Sequence, residues 1–269
     1  MAITFIGGGN MATALIGGLL HKGWSAGEIR VVEIDAAQRE RLAGRFGVAT
    51  TAAPEVGADD TVLLAVKPQH MREAARGLAG RLGLQLVITI AAGIRLDDLA
   101  RWLGGYRRLV RCMPNTPALV HCGITGLYAL PEVGPEERKR AEAILGAVGR
   151  TLWFERETLL DAVTAVSGSG PAYVFYFMQA LEEAAVSLGL EPRQARLLTL
   201  ETFYGAATLA RQSEAPVASL RAQVTSKGGT TERAVAVLEA VRVRSHIEEA
   251  VRAAHARAAE LGDEFGKLD

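Results

Sequence analysis

Two glycines followed by two threonines, Gly228-Gly229-Thr230-Thr231, close the run Val224 to Thr231 and stand where the pattern predicts a helix start. A glycine turn lets several backbone N–H groups converge, and the helix that follows adds its positive dipole end at the same point. Such a cradle holds a carboxylate. The hydroxyls of Thr230 and Thr231 either cap the helix or reach a ligand. The octapeptide alone leaves both uses open, an anion cradle or an ordinary turn with a threonine cap.

A second constellation opens the chain. The apolar run Ile3 to Ile6 meets Gly7-Gly8-Gly9-Asn10-Met11-Ala12, which fits G-x-G-x-x-G/A, and Ala14, Leu15, Gly18 and Leu19 continue at helical spacing. Gly7 makes the tight turn, Gly9 lets a pyrophosphate approach the backbone, and Ala12 keeps helix and strand close. A second predicted strand, residues 29 to 32, ends in Glu33, near the offset at which a dinucleotide site places its ribose-binding acid. Strand, glycine turn, helix and acid in register specify a nicotinamide or flavin nucleotide site.

These residues need a sheet to carry them. Upstream of residue 156, strand-like runs at 61–66, 86–90, 109–112 and 123–128 alternate with helical patterns near 69–80, 95–103 and 135–147, which argues a mainly parallel sheet covered by helices. Ligands in such folds lie beyond the carboxyl ends of the strands. Here those ends are Val66-Lys67-Pro68, Ala91-Ala92-Gly93 and Met113-Pro114-Asn115-Thr116-Pro117. Small side chains at Ala91 and Ala92 let a nicotinamide ring or its ribose lie against the sheet, and two prolines fix the loop around Asn115, which is a candidate substrate contact. A loop with no ligand is the plain alternative for that segment.

Downstream there is no strand signal. Helices are expected near 157–166, 171–188, 192–212, 216–224, 230–241 and 244–261, with stops at Gly189, Pro192, Pro216 and the glycine pair. The fold class is therefore α/β followed by all-α: a dinucleotide-binding domain over residues 1–156 and a helical domain over 157–269. Ser167-Gly168-Ser169-Gly170-Pro171 reads as a glycine turn between two helices, with Pro171 at the first position of the second. That second helix is apolar nearly all round from Ala172 to Leu181, so it calls for burial on every side, and a second copy of the chain is the best source. Tyr173, Phe177 and Leu181 are expected to form one buried ridge.

Composition narrows the function classes. Thirty basic and thirty acidic side chains cancel, which leaves no field to draw nucleic acid or an anionic membrane. The uncharged stretch between Asp161 and Glu182 has the length of a membrane span, but its glycines and proline would leave backbone groups unpaired in lipid. Two cysteines, Cys112 and Cys122, fit reduced thiols in a cytoplasmic protein. No secretory leader pattern is present, no metal is called for, and none of the five histidines has the setting of a catalytic base, His121 beside the Asn115 loop being the one to watch.

Taken in order, Gly7 to Ala12, Val66 to Gln69, Arg111 to Pro117, Asp161 to Tyr173 and Val224 to Thr231 resemble the pyrroline-5-carboxylate reductase family. The likeness runs from residue 3 to beyond 235, and its last two motifs are specific to that family. It implies an N-terminal Rossmann domain, an interleaved helical homodimer that often assembles further into a decamer, and reduction of 1-pyrroline-5-carboxylate to L-proline by NADPH or NADH. By the same resemblance Thr231 hydrogen-bonds the substrate nitrogen, while Ser226 and the N–H groups of Gly228, Gly229 and Thr230 take the carboxylate. The active site is then expected between domains, with the cradle from the same chain or from its partner.

Two departures from the family pattern stand out: Lys227, where many relatives have proline, and the acidic Glu33-Ile34-Asp35, where NADPH-preferring members carry polar or basic residues. A β-hydroxyacid type dehydrogenase shares the plan, but it needs a lysine and an asparagine on the first long C-terminal helix, and residues 171–190 contain neither. A nucleotide-sensing protein without turnover is the rival from a different class.

Overall fold

The computed structural model describes residues 2–267. β1 (Ile3–Ile6), β4 (Thr61–Leu64) and β5 (Leu86–Thr89) are short runs buried at every position, as strands are when helices cover both faces of a sheet. β2 (Ile29–Val32), β3 (Ala49–Thr51), β6 (Leu109–Met113), β7 (Gly123–Ala129) and β8 (Gly149–Trp153) complete one sheet in the order β3-β2-β1-β4-β5-β6-β7-β8. Neighbours from β3 through β6 pair in parallel, β7 runs antiparallel to β6, and β8 is parallel to β7.

Along each strand, alternate side chains feed opposite faces. Leu63 and Ile88 join the apolar cluster of Phe5, Leu15 and Ile16, whereas Val62, Leu64 and Val87 join that of Met71, Leu99 and Trp102. The covering helices are α1 (Asn10–His21), α2 (Ala36–Phe46), α3 (Pro68–Leu78), α4 (Leu96–Trp102) and α5 (Pro135–Leu145). Cys112 lies inside the first cluster, and burial pushes its thiol far above the ordinary range. It is no nucleophile; Cys122 is exposed, and both thiols are free.

The helical half comprises α6 (Leu159–Val163), a π-helical turn (Thr164–Gly168), α7 (Gly170–Ser187), α8 (Pro192–Gln212), α9 (Val217–Gln223), α10 (Thr230–Ala240) and α11 (Val243–Gly266). Here the structure corrects two expectations. The glycines at 168 and 170 make no break: Val163, Thr164 and Ser169 all keep right-handed helical dihedrals, and the chain runs from α6 through the π turn into α7. The second concerns the boundary expected at 156. The chain divides into one compact unit of residues 1–169 with 253–269 and another of 170–252, so residues 157–169 and the end of α11 belong with the sheet.

Within residues 170–252 only Ala195 and Thr199 are buried. Phe175 is 64% exposed, Tyr176 72% and Tyr204 71%. A helical unit that leaves aromatic residues so open lacks a core of its own. Phe177, placed on the expected ridge, is less open than Phe175 and Tyr176. Among the described residues no helix is long and apolar enough to cross a membrane, and no cluster of acidic, His and Cys side chains could hold a metal ion.

Candidate active site

The chain leaves β1, builds β2 and β3 on one side, and returns to start β4 on the other, so the strand order reverses between β1 and β4. A crevice at the carboxyl ends of these two strands is the binding place this topology creates. Gly7 lies there with φ +100°, and a Cβ on it would sit 2.8 Å from the Ala65 carbonyl oxygen, so only glycine fits. Beside Gly9 the space is open, with nothing within 4 Å of a built Cβ. Gly9 caps α1 without any side-chain hydrogen bond, and the first turn carries no acid. The N–H groups of Asn10, Met11 and Ala12 therefore face that space as first-turn donors without intrahelical partners. A pyrophosphate fits these residues: room, donors and a positive helix end coincide.

Glu33 follows β2. One carboxylate oxygen accepts the Gly8 N–H at 2.8 Å and the other the Asp35 N–H at 2.9 Å. Asp35 itself caps α2 by accepting the Ala37 N–H. Gln38, which no motif marked, and Arg39, the first basic residue after Glu33, join them. Gln38 donates its amide to the Gly8 carbonyl, and Arg39 Nη1 donates to the carbonyls of Glu33 (2.8 Å) and Ile34 (2.9 Å). The end of β2 thus presents a carboxylate and a guanidinium side by side.

Val66 lies 3.0 Å from the position a Gly7 Cβ would take, and Lys67 is the N-cap of α3 with Pro68 at its first position. Ala91, whose N–H donates to Thr89 Oγ1, and Ala92 follow β5. The sheet therefore gathers Gly7 to Ala12, Glu33, Val66 to Pro68 and the two alanines at one end, as expected.

Asn115 is placed differently. Its Nδ2 donates to the Ser167 carbonyl at 3.2 Å and its Oδ1 accepts the Ile124 N–H at 2.9 Å. Pro171 has no N–H to offer the carbonyl four residues back, which is Ser167. The Asn115 amide fills that vacancy and ties β7 to the π turn.

Beside it Arg111, 3% exposed, meets Glu157 at 3.1 Å and Asp161 at 3.2 Å. Glu157 also accepts the Leu96 N–H at the start of α4. The readable signal was two carboxylates four residues apart, at the edge of an uncharged stretch. His21 and His121 stack with ring centroids 5.4 Å apart, both exposed.

At the other candidate site, Gly229 caps α10, not a threonine. Gly228 takes φ +75° to make the turn. Thr230 and Thr231 occupy the first turn of α10, and neither hydroxyl has a hydrogen-bond partner among the described residues. The plain reading of a threonine cap is thereby removed. The expected cradle shrinks as well. The Gly229 N–H donates to the Ser226 carbonyl at 3.0 Å, and the Gly228 N–H to Glu232 Oε2 at 2.7 Å. Both are satisfied within the chain. What stays open is the first turn of α10, the two threonine hydroxyls and the exposed Ser226.

Comparison with known proteins agrees with this division of labour. Residues 157–261 match the model described as pyrroline-5-carboxylate reductase dimerisation, and residues 2–93 match that described as NADP oxidoreductase coenzyme F420-dependent. Pyrroline-5-carboxylate reductase from Pseudomonas aeruginosa is 47% identical over 268 residues, covering 98% of each chain. This chain belongs to the pyrroline-5-carboxylate reductase family.

The structure of a family member from Coxiella burnetii superposes with TM-score 0.90 at 42% identity, over 96% of this chain and 97% of that one. A Plasmodium falciparum pyrroline carboxylate reductase, with NADP bound, does so with TM-score 0.86 at 26% identity, over 97% and 98%. Prephenate dehydrogenase from Aquifex aeolicus, at 16% identity and TM-score 0.55, shares the fold alone. The matched dimerisation segment contains the helices whose aromatic residues stand open, and the family's dimer is what their exposure calls for.

Proposed function

We propose that this chain reduces 1-pyrroline-5-carboxylate to L-proline with NADPH or NADH, the last step of proline synthesis. The observation that carries the reading is the 47% identity to a pyrroline-5-carboxylate reductase over 98% of both chains. The open crevice at Gly9 supports the cofactor assignment, and the two unpartnered threonine hydroxyls support the substrate assignment.

The chemistry asks little acid–base work of the protein. A reduced nicotinamide held there would supply the hydride that turns the C5=N bond of the ring into C–N, and the nitrogen, protonated beforehand, becomes the secondary amine of proline. Thr231 accepts the N–H of that protonated nitrogen through its hydroxyl oxygen. The N–H groups of Thr230 and Thr231 and the hydroxyls of Thr230 and Ser226 receive the carboxylate. Gly228 and Gly229 shape the turn without themselves donating to the substrate. Gly7 to Ala12 hold the pyrophosphate, Glu33 the adenosine ribose, Val66 to Pro68 flank the cofactor's course, and Ala91 and Ala92 take the nicotinamide end. Positioning of this kind lowers a barrier by several kcal/mol when the reacting atoms are held at about 3 to 3.5 Å.

On this reading the unit of residues 1–169 with 253–269 binds the nucleotide, and residues 170–252 carry the substrate cradle and the dimer contacts. The protein works in the cytoplasm, in keeping with its free thiols, and its dimers assemble further into a decamer, to be counted by sedimentation. The deciding assay follows oxidation of NADPH and NADH with 1-pyrroline-5-carboxylate and with a panel of 2- and 3-oxo acids. Oxidation with the imine alone and formation of proline are expected. Binding without turnover, or turnover of an oxo acid instead, would overturn the assignment.

A further inference from the structure

The end of α11 is fastened to the turn that follows β5. Arg95 Nη1 pairs with Asp263 Oδ1 at 2.6 Å, its Nη2 donates to the Ala259 carbonyl at 3.2 Å, and Arg101 Nη2 donates to the Gly266 carbonyl at 2.6 Å. The approach is close on both sides. A Cβ on Gly93 would lie 3.1 Å from the Phe265 ring, and one on Gly262 would fall 2.8 Å from Arg95 Nε. Phe265 packs against the apolar cluster of α3 and α4. The matched dimerisation segment ends at residue 261, so Gly262, Asp263, Phe265 and Gly266 make these contacts beyond it.

The same turn is gripped from its other end. Glu157, held by Arg111, accepts the Leu96 N–H. Residues 91–96 are thus fixed by two segments far away in sequence, whereas Gly7 to Ala12 and Glu33 are held by hydrogen bonds among the first two strands and α2. Short residues at 91 and 92 carry no side chain long enough to anchor the turn themselves. Its height above the sheet depends on what is packed behind Gly93.

We infer that the last turns of α11, residues 259–266, are a positioning element for the nicotinamide end of the cofactor. They set the Ala91-Ala92-Gly93 backbone against which the ring lies, and they leave the adenosine half untouched. The inference rests on the assignment of Ala91 and Ala92 to that end of the cofactor. Asp263 and Phe265 touch neither cofactor nor substrate; they act through Arg95 and Gly93.

The test compares two ligands that differ only in the ring. NADP+ and 2′-phospho-ADP-ribose, which lacks nicotinamide, are titrated by calorimetry against wild type, Phe265→Ala, Asp263→Asn and the charge-reversed pair Arg95→Asp with Asp263→Arg. In Phe265→Ala and Asp263→Asn the Kd for NADP+ should rise about tenfold, within what a misplacement of order 1 Å costs, with 2′-phospho-ADP-ribose binding as in wild type. The charge-reversed pair should keep most of the NADP+ affinity. Equal losses for both ligands, or none for either in folded variants, would overturn the inference while leaving the cofactor assignment intact. A wild-type chain that binds neither ligand would overturn both.

Discussion

Thr230 and Thr231 keep their hydroxyls free because a glycine caps their helix, and an unpartnered hydroxyl pair at a positive helix end is suited to a ligand that carries both a carboxylate and a polar nitrogen. Thr231→Val keeps the shape and removes the hydroxyl that accepts the substrate N–H. Loss of a hydrogen bond to a charged group is worth about 1.5 to 3 kcal/mol, so kcat/KM should fall by roughly 10- to 150-fold with melting temperature unchanged; wild-type kinetics in this variant would refute the assignment. At the end of β2, Arg39 already lies on the carbonyls of Glu33 and Ile34, where a 2′-phosphate would find it beside the Glu33 carboxylate. The two charges favour opposite cofactors. The enzyme should therefore accept both nucleotides, with Glu33→Ala moving the kcat/KM ratio toward NADPH and Arg39→Met moving it toward NADH by about tenfold, the scale of one charge-assisted hydrogen bond. Unchanged ratios in both variants would show that neither side chain meets the ribose. The residue types of both sites were legible in the sequence, since glycine turns announce themselves. Which N–H groups remain open was not. That depends on Glu232 and Ser226 folding back onto the turn, and no spacing rule separates a carboxylate that caps its own helix from one that faces solvent.

Strands and helices were legible where one period dominates. β1, β4 and β5 are buried on both faces and read as continuous apolar runs, and α8 came out at its expected bounds. β3 and β8 escaped because each is an edge strand with no buried position: Ala49–Thr51 has only three residues, and Gly149–Trp153 alternates in exposure. The passage from α6 to α7 was misread as a turn for a different reason. Pro171 and its glycines normally end a helix, but Asn115, more than fifty residues earlier, hydrogen-bonds the carbonyl that the proline leaves unpaired. Arg111 acts at the same junction, binding Glu157 and Asp161 from within β6. Removing one partner of such a group leaves uncompensated buried charge, at a cost of about 3 to 5 kcal/mol. Arg111→Met should lower the urea midpoint accordingly, whereas a loss under about 1 kcal/mol would mean that the carboxylates reach water or other partners.

At the level of the whole molecule, the second unit buries almost nothing by itself, and α7 has no buried residue. Stability must then depend on protein concentration, because association supplies the missing burial. The melting temperature should rise as the chain concentration is raised, and Phe175→Glu, which sets a charge in the most apolar helix, should give monomer or aggregate in sedimentation. A concentration-independent melting curve, or an intact dimer in that variant, would place the interface elsewhere. The first unit, by contrast, draws on both ends of the chain, taking residues 253–269 after the 170–252 segment has been laid down. This orders events on the ribosome. At about 5 to 20 residues per second, the intervening segment takes roughly 4 to 16 seconds to synthesise, and throughout that interval the sheet is formed but the packing behind Gly93 is absent. The nucleotide cleft of a nascent chain is therefore unfinished until α11 emerges, and dinucleotide binding at full strength should begin only once that helix has been made.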